Sequence, residues 1–372
     1  MLNKRFKKTL PPFECLRMKH ISSFRYLSYC VLSFILIGCV EEYPFKDKSS
    51  FNVVVVEGTL TDLSEPQVIK LSRSKTDPST GMSFSEAISG AQVELVVDAT
   101  QFVPFVEGIQ GTYKLTSSFQ AQIGHNYQLR FRLSDNTRYE SSPETMQAVP
   151  PLLNIRQQFN ANSLTLEQLN GYTSANDILV DFEDPANIEN YYQWDWTLWE
   201  RQFHCFAGAF YDLYCNRECW EIIRNPIINV SNDKFSNGKA VTNKRLAQIP
   251  YYQDRACLVE VRQSSLSKQA FQFLKLTEEQ AQTTGTLVDT PPATLVGNIH
   301  NVANNQEAVV GYFKVSSVSK VLFWLDRSNN TGTSIGLYRG LYGRTPNVSP
   351  FNESPCILSD TRTPFKPEGW RQ

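Results

Sequence analysis

Between Gly124 and the turn residues Ser134-Asp135-Asn136 the chain reads Tyr127-Gln128-Leu129-Arg130-Phe131-Arg132-Leu133. Apolar and polar side chains alternate throughout, and only an extended strand sends all four apolar ones to a single face. The same chemistry recurs upstream. Val53-Val54-Val55-Val56 before Glu57-Gly58 is a β-branched run suited to a buried strand. Val68, Lys70 and Ser72 alternate with Ile69, Leu71 and Arg73, and Val93, Leu95 and Val97 alternate with Gln92, Glu94 and Val96. Gly111 opens Thr112-Tyr113-Lys114-Leu115. Short strands at this spacing, broken by Gly, Ser and Asp turns, predict an antiparallel sandwich over residues 51–150, closed by Val149-Pro150-Pro151.

Past that boundary strands continue. Ile178 to Phe182 ends at Asp184-Pro185, a turn starter. Asp181, Glu183 and Asp184 lie close together, and solvation at a strand end accounts for all three. From Tyr191 to Trp199 the chain is heavily aromatic, with Tyr192, Trp194 and Trp196 on one face. Trp194 and Trp196 are read as sandwich core, and Trp199 is left open between core and a ligand-stacking surface. Around Ser267 to Gln280 the period changes: Ala270, Phe273, Leu274 and Thr277 have helical spacing, with Ser265 and Ser267 as candidate caps. Gly311 to Val315 and Val321 to Leu325 return to β. The fold class is therefore mainly β: an N-terminal sandwich, then a second β-rich sandwich domain over 151–372 with at least one helix.

The N-terminus reads as an export signal. From Met18, Lys19-His20 and a mixed stretch to Arg25 lead into an apolar run from Tyr26 to Ile37. That run fits the ~7–15 residues of a signal-peptide core and falls short of the ~20 needed to span a bilayer. Translation is expected to start at Met18, with residues 1–17 upstream of the true start and 18–38 the signal peptide. Leu36-Ile37-Gly38-Cys39 resembles a bacterial lipobox, with cleavage between Gly38 and Cys39 and lipid on the Cys39 thiol. Two or more acyl chains anchor stably where one is marginal. Residues 39–50 then form a lipidated tether whose Glu41-Glu42 pair resembles a signal for export to the outer face of the outer membrane.

Composition narrows the function classes. The 372 residues include 36 basic and 37 acidic ones, for a net charge of −1, which offers nucleic acid no electrostatic footing. With 4 histidines the chain has little scope for His-rich metal sites. His125 and His300 both read as turn or loop residues. No nucleophile elbow, His-Glu-x-x-His or phosphate-binding loop is present, so neither an enzyme nor a cofactor is expected. Of 8 cysteines, Cys15 and Cys30 lie in the removed segment and Cys39 takes lipid, leaving five. In an oxidising compartment, Cys205, Cys215, Cys219 and Cys257 are the candidates to pair among themselves. A zinc site of His204, Cys205, Cys215 and Cys219 is the lesser alternative, because no second pair at ligand spacing follows.

Several stretches together carry a family resemblance. They include Val55-Val56-Glu57-Gly58-Thr59-Leu60-Thr61-Asp62, Ile88-Ser89-Gly90-Ala91-Gln92-Val93 and Asn190-Tyr191-Tyr192-Gln193-Trp194. Later ones are Val261-Arg262-Gln263-Ser264-Ser265-Leu266-Ser267, Pro291-Pro292-Ala293, Gly297-Asn298-Ile299 and Gly311-Tyr312-Phe313. In order and spacing the chain resembles the Bacteroidetes outer-membrane lipoproteins grouped as domain of unknown function 4249. The resemblance implies an Ig-like or carboxypeptidase-regulatory-like first sandwich, and a TonB-dependent receptor as partner. It also implies a close cysteine pair before the Lys366-Pro367-Glu368-Gly369-Trp370 ending, but here Cys356 stands with Ser359 in the second place. The expected function is a non-enzymatic, lipid-anchored accessory to a TonB-dependent transporter of a small-molecule or oligomeric nutrient. A surface adhesion or structural binding protein is the alternative.

Overall fold

The computed structural model describes residues 52–77, 80, 82–115, 119–166, 171–207, 213–281, 295–343 and 356–371, without the side chains of 203–217. Gly38 and Cys39, the signal peptide and the whole tether lie outside the described residues.

The alternating stretches fold as strands. Short ones fill the first part: β1 (Val53–Thr61), β2 (Val68–Thr76), β3 (Ser83–Ala87), β4 (Gln92–Val97), β5 (Gln101–Glu107), β6 (Thr112–Leu115), β7 (Asn126–Arg132), β8 (Arg138–Ser141) and β9 (Glu144–Thr145). Longer ones follow: β10 (Leu153–Thr165), β11 (Tyr172–Glu183), β12 (Tyr191–Ala207), β13 (Leu213–Arg224), β14 (Val230–Asn232), β15 (Ala240–Pro250) and β16 (Cys257–Ser265). Then come helix α1 (Lys268–Ala281), β17 (Ile299–Asn301), β18 (Val309–Ser316), β19 (Val318–Leu325), the short helix α2 (Leu337–Tyr342) and β20 (Arg362–Thr363). The protein is mainly β.

The first sheet runs β17-β8-β7-β4-β5-β6-β2-β1-β18, with β3 on β2 and β9 on β7. It turns back on itself at β5. Gln101 to Pro104 pair with β4, whereas Phe105 to Glu107 pair with β6. Pro104 sits at that changeover, a corner position that proline tolerates in a sheet. The enclosed core includes Val54, Val56, Ile69, Leu95, Leu129, Phe131 and Phe313.

Two late strands complete this first sheet. β18 pairs in parallel with β1, Val56 opposite Gly311, and β17 pairs with β8. Both come from the stretch assigned by sequence to the second domain. They cover edges that β1 and β8 would otherwise leave unpaired. Asn298 ties the two ends together: its Oδ1 accepts from the Phe313 amide at 2.9 Å and its Nδ2 donates to the Phe313 carbonyl at 3.0 Å. His300, read from sequence as a loop residue, is in β17.

The second half packs a three-stranded sheet (β10-β11-β15) against a six-stranded one (β19-β16-β12-β13-β20, with β14 on β12). Ile178, Phe182, Tyr192, Trp194, Leu198, Ile249 and Val259 form its core, with Trp196 partly buried against them. That is the inward face expected of the aromatic stretch. Trp199 packs elsewhere, in a cluster with Trp220, Leu258 and Trp370. The chain crosses between the two halves at Ser317, where Asp62 accepts from the Ser317 hydroxyl at 2.6 Å and the Val318 amide at 2.9 Å. Asp184, expected to be solvated, is buried and accepts from the Tyr192 hydroxyl at 2.5 Å and the Gly238 amide at 3.2 Å.

The cysteines depart from the sequence expectation. Cys219 is bonded to Cys356, with 5.9 Å between their Cα atoms, and Cys257 is free and buried. The topology supplies the reason. β12 lies between β13 and β16, so Cys219 and Cys257 stand two strands apart, about 10 Å and beyond a disulfide's reach. β20 pairs with β13 and brings the C-terminal segment beside Cys219. Cys205 and Cys215 face each other in the β12/β13 register, with side chains outside the description.

Candidate functional site

Helix α1 starts where the sequence places a cap. Ser267 Oγ accepts from the Ala270 amide at 3.1 Å, and the Ser267 carbonyl accepts from the Phe271 amide at 2.9 Å. The Leu266 amide donates to the Tyr191 carbonyl at 2.8 Å, which pins the start of the helix to β12. Ala270 and Leu274 bury the inner face against Tyr312, and the Phe273 and Tyr312 rings lie 5.3 Å apart.

Beside this helix is a cleft of 820 Å³, within the size range of small-molecule sites. Glu144, Tyr191, Ser267, Gln272, Asn298 and Tyr312 line it. Glu189 and Lys268, both well exposed, pair across the rim at 3.7 Å. Two glycines let the far wall close up. A Cβ on Gly297 would lie 1.8 Å from the Gly311 carbonyl oxygen, and one on Gly311 would lie 1.9 Å from that of Val56. Gly311 also has φ +114°, a conformation that side chains avoid. Direct backbone contact thus fixes Asn298 and Tyr312, each next to one of these glycines.

Glu144 sits at the bottom. It is 4% exposed, on the two-residue strand β9 opposite Tyr127 of β7. Its Oε1 accepts from the Tyr312 hydroxyl and, at 3.4 Å, from Asn298 Nδ2. Its Oε2 is buried without a hydrogen-bond partner. Burial pushes the carboxyl above the usual range, while Ser267, Tyr312 and Asn298 pull in the other direction. The Tyr312 hydroxyl is pushed up in turn, by burial first and then by Glu144. The arrangement offers a ligand a buried carboxyl group, one oxygen of it unpartnered, between aromatic walls.

None of the sequence-nominated site residues that are described lines this cleft. Gly38 and Cys39 lie outside the described residues, and Cys219 is held in its disulfide, which removes it from the zinc alternative. Among the described residues no group of three His, Cys, Asp or Glu side chains is placed to hold a metal. Asp181 lies on the other sandwich, where its pairing with Arg156, then the Asn243 amide, holds its carboxyl well below the usual range. His125 stands in its turn with Nδ1 2.6 Å from Asp98. Glu144 was not singled out by sequence, but four of the stretches that carry the family resemblance come together around it. Asn190-Tyr191, Ser265-Leu266-Ser267, Gly297-Asn298-Ile299 and Gly311-Tyr312-Phe313 all reach the cleft or its walls.

A family model described as Domain of unknown function (DUF4249) matches residues 40–321. The chain belongs to this family. The DUF4249 match takes in the whole first sandwich, most of the second and every described residue of the cleft, and ends within β19. Cys356 and Trp370 lie beyond it. No curated protein and no solved structure matches the chain.

Proposed function

We propose that this DUF4249 protein is an outer-membrane lipoprotein, anchored through acylated Cys39 and facing the cell exterior, that binds a small nutrient in the α1 cleft. It acts as a non-enzymatic accessory to a TonB-dependent transporter. The carrying observation is the cleft itself: an open concavity whose floor is a buried carboxylate and whose walls are aromatic. Small-ligand sites combine apolar walls with a few convergent polar groups in this way. The lipobox at Leu36-Ile37-Gly38-Cys39 supports the anchor, and the family resemblance supports the transporter.

Three measurements test the reading. Solubilised under mild detergent, the wild-type protein carries a TonB-dependent receptor through affinity purification; its repeated absence sinks the partnership. Cys39→Ser shifts the protein out of the membrane fraction, and unchanged membrane retention sinks the lipid anchor. Protease applied to intact cells trims an outward-facing protein and spares a periplasmic one.

A further inference from the structure

We propose that the cleft takes a small ligand carrying a protonated amine on an aromatic or apolar body, with the ammonium seated on Glu144 Oε2. This assignment rests on reading the cleft as the binding site. Among the described residues, Glu144 Oε2 is the one buried carboxylate oxygen without a hydrogen-bond partner. Elsewhere the protein completes such groups. Glu200 accepts from Arg327 on one oxygen and from Gln253 on the other, and Asp184 accepts from the Tyr192 hydroxyl and the Gly238 amide on its two. A lone buried carboxylate oxygen is costly, and a site that keeps one has a vacancy for a donor.

Charge decides the class of donor. Tyr312 and Asn298 both donate to Oε1, and the Ser267 side chain joins them in favouring the anion, while Oε2 stays buried and unpartnered. Lys268, the one basic residue among the described residues that line the cleft, stays at the rim with Glu189 at 3.7 Å. Glu144 and Glu189 together repel an anion. A hydroxyl donor satisfies the geometry but leaves the buried charge in place, whereas an ammonium neutralises it in a charge-assisted hydrogen bond. The Tyr312 and Phe273 rings, tilted 37° to each other in the cleft lining, add cation–π attraction and an apolar surface for the ligand body.

The test is calorimetric titration of the full-length protein in detergent with phenethylamine, its neutral isostere 2-phenylethanol and anionic 3-phenylpropionate. Phenethylamine binds saturably and at least tenfold tighter than 2-phenylethanol, and 3-phenylpropionate does not bind. Glu144→Gln keeps the side chain's shape and Oε1 contacts and loses at least tenfold for the amine alone. Gln272→Trp, at an exposed position on the cleft wall, blocks entry and loses binding of every probe. Equal binding of amine and alcohol, or an unaffected Glu144→Gln, overturns the amine assignment and leaves the cleft as a binding site. Failure of phenethylamine to bind the wild type overturns the assignment too. Binding that survives Gln272→Trp puts the ligand elsewhere and overturns both readings.

Discussion

Glu200 and Arg327 are each shut away from solvent, 2.6 Å apart. Arg327 also donates to the carbonyls of Gln253, Arg255 and Pro250, and Gln253 donates to the other Glu200 oxygen. A pair so enclosed is expensive to break from one side. Arg327→Met leaves a buried, uncompensated carboxylate and should cost about 3–5 kcal/mol in urea denaturation, most of it recovered in the double variant with Glu200→Leu. Glu200 was legible in part, because Tyr192, Trp194, Trp196, Leu198 and Glu200 continue one face of β12. Its partner was not, since no local pattern places an arginine just past β19 inside the core. Glu144 behaves in the opposite sense. Its folded carboxyl titrates above the unfolded one, so the native state binds the proton better and wild-type stability falls as pH rises through that window. Glu144→Gln removes this penalty. The variant should melt at or above wild type at pH 7, with the gap closing as pH drops toward the ordinary carboxylate range, as differential scanning calorimetry across pH would show. A variant that melts well below wild type at neutral pH contradicts the electrostatics assigned to the site.

Among elements, the helix was the easiest to read and the β17/β18 closure the hardest. Ala270 and Leu274, picked out by period, are the buried residues of α1, and Ser267 caps it. Local chemistry sets all three. The parallel pairing of β18 with β1 joins distant parts of the chain, and periodicity reports which face of a strand is apolar without naming its neighbour. The trace it leaves in sequence is a pair of glycines, Gly297 and Gly311, whose role appears only once the backbones are seen to touch. Gly311→Ala meets both an unfavourable φ and the Val56 carbonyl, and should cost at least about 2 kcal/mol. The same substitution at Gly124, with positive φ but open space around it, meets the backbone penalty alone and should cost less. Comparison of their denaturation midpoints separates close approach from conformational strain. If the two variants are equally destabilised, backbone contact is not what holds the closure.

At the scale of the whole molecule, the chain returns late to finish what it began early, and its cross-link follows the same logic. β17 and β18 complete the first sheet, β19 joins the second, and β20 with the Cys219–Cys356 bridge holds the C-terminal segment on β13. Trp370 closes this edge, edge-to-face with Trp220 at 5.7 Å and Trp324 at 5.1 Å. The sequence pointed to disulfide bonding but not to its connectivity, because the partner of Cys219 lies 137 residues away. A bridge spanning that distance withdraws much freedom from the unfolded chain, and its loss should cost about 2–4 kcal/mol. Cys356→Ser lowers the denaturation midpoint accordingly and raises the exposure of Trp370, visible as a red shift in tryptophan emission. Cys257→Ser provides the control. Its thiol is buried, unpaired and pushed up by that burial, so its replacement leaves the bridge and the tail emission unchanged. A tail that stays docked with no loss of stability in Cys356→Ser would assign the anchoring to Trp370 and β20 rather than to the disulfide.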